Sequence, residues 1–294
     1  MKILVTGANG QVGSELINLG KDYGMHMLAV DLAELDITQS ENVKKYISSA
    51  QPDIIINAAA HTAVDKAESE VDLAYAINRD GVENLAKVCA EQKILLIHIS
   101  TDYVFNGENK TPYKETDTPN PESVYGQSKL EGEQAVTTLL EQYYILRVAW
   151  VFGANGNNFV KTMLRLGSER DELSIVADQK GAPTSARDIA KTLLMIAQRY
   201  KNKQAIDWGI YHYIGTPSAT WYHFAKVIFE TAVKLKMLKK IPKLNAITTE
   251  DYPTPAKRPK NSVLDCSKIK QALNINQPDW TAELSKVLTL WKNQ

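Results

Sequence analysis

The first thirteen residues, MKILVTGANGQVG, run an apolar segment straight into three glycines. KILVT (2–6) reads as a buried strand, and Gly7, Gly10 and Gly13 in VTGANGQVG (5–13) form a GxxGxxG turn that opens a helix. Glycine at such a turn lets the backbone approach a pyrophosphate, and the helix N-terminus presents unpaired N–H groups to it. Gln11 and Val12 lie between the last two glycines, at the mouth of that nest. Asp31 closes the next apolar run, where a carboxylate would hold a ribose 2′-hydroxyl. Leu32, Ala33 and Glu34 come after it, with no Arg or Lys to receive a 2′-phosphate. NADH should therefore be accepted, and NADPH needs a basic residue from elsewhere in the chain. Asp36 either meets the adenine edge or caps the following helix.

Beyond the glycine turn the same rhythm continues. Continuous apolar runs at 26–30, 53–57, 93–100 and 143–152 alternate with helical patterns. Unbroken rather than alternating runs are expected of parallel strands buried on both faces. One helical stretch, 72–91, carries Leu73, Ile77, Leu85, Val88 and Cys89 at roughly helical spacing. Strand–helix alternation predicts right-handed βαβ units, hence an α/β fold with a Rossmann-type doubly wound parallel sheet. Past residue 152 the rhythm loosens. Helical patterns near 158–168, 186–200, 219–236 and 281–292 are separated by short strand-like pieces, LSIV (173–176) and IYHYI (210–214). The division this predicts is a nucleotide-binding domain over 1–152 and a smaller α/β substrate-binding part over 153–294. The helix near 186–200 is expected to pack back onto the first. YPTPAKRPKN (252–261) reads as a shaped loop, because apolar pattern resumes on both sides.

The segment SVYGQSKLEGE (123–133) places Tyr125 and Lys129 four residues apart on one helix face. A free phenol, with a pKa near ~10, is a poor acid–base catalyst at neutral pH, and a neighbouring ammonium would lower it. Thr101 ends the strand ILLIHIST, on the side where open parallel sheets bind ligands, and its hydroxyl could hold a carbonyl for proton transfer. The spacing alone is not selective, since Tyr222 and Lys226 repeat it. Those two follow no strand end bearing Ser or Thr and read as core packing.

Lys plus Arg equals Asp plus Glu, and the chain has no basic block, which argues against nucleic acid as the main partner. Cys89 and Cys266 fit no metal or redox spacing and read as two buried thiols. The five histidines form no i, i+4 pair, so a histidine-built metal site is not expected. No apolar run approaches the ~18 to 20 residues needed to cross a membrane. With a core strand starting at residue 2 there is no room for a signal peptide, and the expected compartment is the cytoplasm.

Taken in order, the GxxGxxG turn, Asp31, NAAA (57–60), Thr101 and Tyr125 with Lys129 resemble the extended short-chain dehydrogenase/reductases across nearly the whole chain. NAAAHTAVDKAESE (57–70), STDYVFNG (100–107), VYGQSKLEGE (124–133), GNNFVKTMLRL (156–166), DQKGAPT (178–184) and RPKNS (258–262) resemble the branch that reduces a dTDP-4-dehydro sugar. The resemblance implies hydride transfer from NADPH or NADH to the C4 ketone of dTDP-4-dehydro-β-L-rhamnose. The product is dTDP-L-rhamnose, a precursor of surface polysaccharides such as O antigen. It also implies that Tyr125 is the proton donor, that Lys129 binds the nicotinamide ribose and tunes Tyr125, and that Thr101 orients the ketone. Asn57, Ala58 and Ala59 would line the ribose side of the cofactor. Asp102, Tyr103 and Trp150 would border the sugar, Thr62 and Val64 would face it from a loop, and Asn158 and Arg258 would meet the diphosphate.

Related dehydratases carry an Asp-Glu pair after the threonine, whereas this chain reads Thr101-Asp102-Tyr103. Elimination needs both an acid and a base at neighbouring carbons, so the missing carboxylate favours reduction. Some relatives dimerise around Mg²⁺ held by acidic residues. Glu15 is eligible, but Ser185-Ala186-Arg187-Asp188 puts an arginine where an acid is expected, and no metal ligands are assigned. A homodimer and a Mg²⁺ requirement both stay open. So do two other functions, an NAD-retaining nucleotide-sugar epimerase and a non-catalytic NADP-binding regulatory subunit.

Overall fold

The computed structural model describes residues 1–204 and 207–293. Strands β1 (Lys2–Thr6), β2 (His26–Val30), β3 (Ile54–Asn57), β4 (Leu95–Thr101) and β5 (Tyr143–Val148) fall on the five apolar runs of the first half. The intervening helices are α1 (Gln11–Gly20), α2 (Ser40–Ala50), α3 (Val64–Ala67), α4 (Val71–Tyr75), α5 (Gly81–Gln92) and α6 (Val124–Leu139). Beyond them come β6 (Val151–Phe152), α7 (Phe159–Glu169), β7 (Glu172–Val176), β8 (Lys180–Gly181), β9 (Thr184–Ser185) and α8 (Ala186–Lys201). The chain ends with β10 (Gly209–His212), β11 (Ala219–Thr220), α9 (Trp221–Lys234), β12 (Lys243–Ile247), α10 (Ser267–Leu273) and α11 (Trp280–Lys292).

Six strands form one parallel sheet in the order β2-β1-β3-β4-β5-β10. Its two faces explain the unbroken apolar runs. Ile3, Val5, Ile54, Ile56, Leu95 and Ile97 belong to one core, which includes Leu16 of α1 and Ile189 and Leu193 of α8. Leu4, Ile55, Leu96 and Ile145 belong to the other, with Val43 and Ile47 of α2 and Leu85 of α5. A side chain buried on either face of a parallel strand must be apolar, so the period-2 pattern disappears.

Two features depart from the pattern read along the sequence. IYHYI, read as a strand-like piece of the second half, contributes β10 to the far edge of the main sheet, paired with β5. Helix α8, for which such a position was expected, lies against α1. The nucleotide-binding body therefore draws on residues well past 152, and we propose a division that assigns α8 and β10 to it. The stretch 72–91 is also not one helix. A π-turn over Ala76–Asp80 separates α4 from α5, shifts the phase, and leaves Leu73 48% exposed. The rest of the second half builds its own core, with Phe152, Val160, Phe224, Phe229, Trp280 and Leu284 at its centre. No helix among the described residues is long and apolar enough to cross a membrane.

Candidate active site

The strand order reverses between β1 and β3, and in open parallel sheets ligands bind at that reversal, outside the strand ends. A cavity of about 740 Å³ lies there. Gly7, which leaves β1 at φ +66°, forms its floor, and a Cβ on it would come within 2.7 Å of the Ala58 oxygen and the Ala59 backbone. Only glycine allows the β1 and β3 loops to meet so closely. Gly10, Gln11 and Val12 also line the cavity; Gly13 does not, since it packs behind the turn against the Gly7 carbonyl. Helix α1 starts at this wall with no side-chain cap and no acidic residue in its first turn. Its N–H groups are thus open to an anion.

At one end stand Asp31 and Asp36 with the apolar Leu32, Leu35 and Ile37. The Asp31 carboxylate accepts from the Asn9 and Leu32 backbone N–H groups, both at 2.8 Å, which ties it to the glycine turn. Asp36 accepts from the Thr38 N–H and hydroxyl at 2.9 and 2.8 Å, so it also shapes the turn before α2. Ala58, Ala59, Thr62 and Val64 line the next wall. Asn57 lies just behind it, fully buried, with its Oδ1 accepting from Thr6 Oγ1 at 2.6 Å and from the Ala59 N–H at 3.1 Å. A glycine floor, an open helix start and a carboxylate at the ribose end fit a nicotinamide dinucleotide.

Thr101, Asp102, Tyr103, Tyr125 and Lys129 converge at the other end. Ser123 caps α6 by accepting from the Gly126 N–H at 3.1 Å, and this fixes the helix so that Tyr125 and Lys129 point into the cavity. Burial pushes the Tyr125 phenol above its ordinary value; the Thr101 hydroxyl pulls it down, and Asp102 and Tyr103 push it up. The Thr101 hydroxyl donates to Asp102 Oδ1 at 3.0 Å, and burial raises the Asp102 carboxyl to about 6. Tyr103 packs edge-on against Tyr125 with ring centroids 5.5 Å apart. The Lys129 ammonium does not lie on the phenol as its i+4 spacing suggests. Its Nζ donates to the Ile99 carbonyl at 2.8 Å and lies 3.3 Å from His98 Nε2, while burial pushes it down to about 8.

Trp150 and Arg258 bring the second half of the chain to the cavity. Trp150, at φ +47° between β5 and β6, stacks on Trp221 with centroids 3.6 Å apart and planes 10° from parallel. Trp221 also lines the cavity, and nothing in its local sequence signals this. Arg258 donates to Asp65 Oδ2 at 2.7 Å and to the Tyr103 hydroxyl at 3.3 Å. Asn158 is directed elsewhere. Its Oδ1 caps α7 by accepting from the Lys161 N–H, and its amide donates to Gln11 Oε1 and the Gly153 carbonyl. Its neighbour Asn157 lines the cavity instead.

Outside the cavity, Arg187 Nη1 lies 3.2 Å from Glu15 Oε2. That cation occupies the acid a bridging Mg²⁺ would need, so these residues do not fit such a metal. Cys89 and Cys266 are buried and free, and burial raises both thiols to about 12.

The family described as RmlD substrate binding domain matches residues 1–292. The dTDP-4-dehydrorhamnose reductase of Aggregatibacter actinomycetemcomitans is 50% identical over 287 residues, 97% of this chain and 98% of the relative. Among solved structures, a dTDP-4-dehydrorhamnose reductase from Clostridium acetobutylicum superposes with a TM-score of 0.91 at 42% identity, covering 99% of this chain and 100% of the other. The Bacillus anthracis enzyme of that name, solved in complex with NADP, gives 0.88 at 37% identity, with 98% and 99% covered.

Proposed function

The chain belongs to the RmlD substrate binding domain family, and from that premise we propose that it reduces the C4 ketone of dTDP-4-dehydro-β-L-rhamnose to dTDP-L-rhamnose. It is an NAD(P)-dependent oxidoreductase. The observation that carries this reading is the convergence of Thr101, Tyr125 and Lys129 on the same cavity as the glycine turn and Asp31. When bound, the nicotinamide supplies the hydride.

The chain's own residues supply the remainder. Backbone N–H groups of Gln11 and Val12 at the α1 start receive the cofactor diphosphate, while the Gly10 N–H closes the turn on the Gly7 carbonyl. Asp31 takes the adenosine ribose hydroxyls, and Leu32, Leu35 and Ile37 enclose the adenine. The only basic residues among those lining the cavity are Lys129 and Arg258, so the adenosine end offers no cation to a 2′-phosphate. NADH is thus accepted, and NADPH use rests on a side chain that moves in from outside. At the reacting end Tyr125 gives its phenolic proton to the ketone oxygen. Burial keeps that phenol protonated until the transfer, as a proton donor requires. Thr101 orients the ketone oxygen, and Lys129 binds the nicotinamide ribose and offsets the phenolate that Tyr125 becomes. The Trp150–Trp221 stack and Tyr103 cover the sugar and exclude water, and Arg258 takes the dTDP diphosphate, where a guanidinium offers two parallel donors.

The test is loss of reduced-nicotinamide absorbance when dTDP-4-dehydrorhamnose is added, with NADH and NADPH in turn and with and without EDTA. Consumption of reduced cofactor with formation of dTDP-rhamnose is expected. Unchanged absorbance with both cofactors overturns the reading. An epimerase would convert sugar without net consumption, and a regulatory subunit would bind cofactor and do neither.

A further inference from the structure

Behind the cavity, four buried side chains form a line from β1 to α6: Thr6, Asn57, His98 and Lys129, each 2% exposed or less. Their contacts are Thr6 Oγ1 to Asn57 Oδ1 at 2.6 Å, Asn57 Nδ2 to His98 Nδ1 at 3.0 Å, and His98 Nε2 to Lys129 Nζ at 3.3 Å. The directions of these bonds are fixed at one end. The Ala59 backbone N–H, which can only donate, points at Asn57 Oδ1 at 3.1 Å. The Asn57 NH₂ therefore faces the imidazole, and His98 Nδ1 must accept.

A ring whose Nδ1 accepts is neutral and carries its single proton on Nε2. That Nε2–H points at Lys129 Nζ. An ammonium has three donors and no lone pair, whereas a neutral amine can accept one bond and still donate to the Ile99 carbonyl at 2.8 Å. We propose that His98 is a positioning residue whose Nε2–H is aimed at Lys129 Nζ, where it can bond the lone pair of the amine but not the ammonium, and so makes Lys129 give up its proton at a lower pH than an exposed lysine in the cofactor-free protein.

The surrounding charges agree. Glu133 faces Lys129 from its own helix and His98 faces it from β4. Glu133 is bound at two points by Arg147 of β5, at 2.6 and 2.9 Å, so its charge is already answered. Burial pushes Lys129 down to about 8 and holds His98 well below its ordinary value, with the nearby Lys129 charge adding to the latter. The consequence rests on the reductase reading: with the Lys129 nitrogen drawn to His98 and the Ile99 carbonyl, burial decides the Tyr125 phenol and keeps it in the acid form that proton donation to a ketone requires.

His212 provides an internal reference. It is also buried and pushed down to about 3, but its Nδ1 donates to the Tyr113 carbonyl at 3.1 Å and its Nε2 faces the Arg147 guanidinium. The two buried histidines thus hold opposite tautomers. Nitrogen-15 NMR of histidine-labelled, cofactor-free protein from about pH 5 to about pH 9 reads this directly. Two histidines that do not titrate are expected, one Nδ1–H and one Nε2–H, the latter signal absent from His98→Gln. In lysine-¹³Cε-labelled protein, the signal missing from Lys129→Met should titrate about two units below the exposed lysines. An Nδ1–H tautomer at His98, titration of His98 in that range, or a Lys129 midpoint equal to that of exposed lysines overturns the proposal. The cofactor-consumption assay is independent of these signals. An active reductase with His98 in the Nδ1–H form sinks this inference alone, and an Nε2–H His98 without reduction sinks the functional reading alone.

Discussion

Arg258 and Asp65 are joined although 193 residues of chain separate them, the Arg258 Nη2 donating to Asp65 Oδ2 at 2.7 Å. Asp65 opens α3 from the loop after β3, and Arg258 comes from the proline-rich loop of the second half. Only one edge of the guanidinium is engaged this way, and Nη1 turns to the Tyr103 hydroxyl within the cavity. Removing the side chain as Arg258→Ala should raise KM for the dTDP sugar roughly ten- to a hundredfold, the scale of a lost charge-assisted hydrogen bond of about 1.5–3 kcal/mol. KM for the cofactor should hardly move. Arg258→Lys should recover little of the loss, because a single ammonium cannot reproduce the planar fork. Steady-state kinetics with each substrate varied in turn decides this, and equal effects on both KM values would count against a diphosphate contact.

Tyr125→Phe removes the proposed proton and little else, since the ring keeps its contact with Tyr103. A fall in kcat of about 10² to 10⁴ is expected, the usual weight of general acid catalysis, with cofactor affinity unchanged. Lys129→Ala should lower both turnover and cofactor affinity. Cofactor titration followed by fluorescence separates the two variants, and near-normal turnover in Tyr125→Phe would remove that residue from the mechanism.

The Asp102 carboxyl, buried beside Thr101, is raised from 3.8 to about 6. Burial is the larger cause, and hydrogen bonds from Ser262 and Thr101 act against it. Because the folded chain binds this proton more tightly than the unfolded chain, its contribution to stability is complete below about 3.8 and lost as pH rises through about 6. Asp102→Asn should remove that dependence, raising Tm above pH 6 by an amount on the order of 2–3 kcal/mol in stability. Calorimetry of both proteins across this range is the check, and parallel Tm curves would contradict it.

Glu133 and Arg147 form an ion pair in which each side chain is 2% exposed. Truncating one partner strands a buried charge, so Glu133→Ala should cost about 3–5 kcal/mol, measured by urea unfolding. Replacing both by apolar residues of similar volume should restore much of the loss. A cost below about 1 kcal/mol for the single variant would show that the pair is solvated in solution.

The sequence made the first five strands legible because each is buried on both faces, which leaves an unbroken apolar signature. The glycine turn was legible because its backbone conformation excludes side chains. β10 was harder to place. A four-residue run with Tyr and His looks the same at the edge of a large sheet as in a small one, and its pairing with β5 is set by tertiary contact. Trp221 joins the cavity by stacking on a tryptophan distant in sequence, and no local pattern encodes that. Asn158 shows the converse, because a residue at the right place in a motif turns out to cap a helix, while Asn157 faces the cavity. Lys129 was found by spacing, but where its nitrogen points depends on β4 carbonyls and a histidine that the helix pattern does not reveal.

The return of β10 to the main sheet also bears on how the chain is made. During synthesis β1 to β5 leave the ribosome first, with the outer edge of β5 unpaired until Gly209–His212 arrive. One core face likewise stays uncovered until Ile189 and Leu193 of α8 are released. An unpaired parallel edge beside bare apolar surface is what nascent chains present to chaperones and to one another. A fragment cut at residue 152 inherits that unfinished state permanently, so the nucleotide-binding half cannot be expected to behave as a separable module.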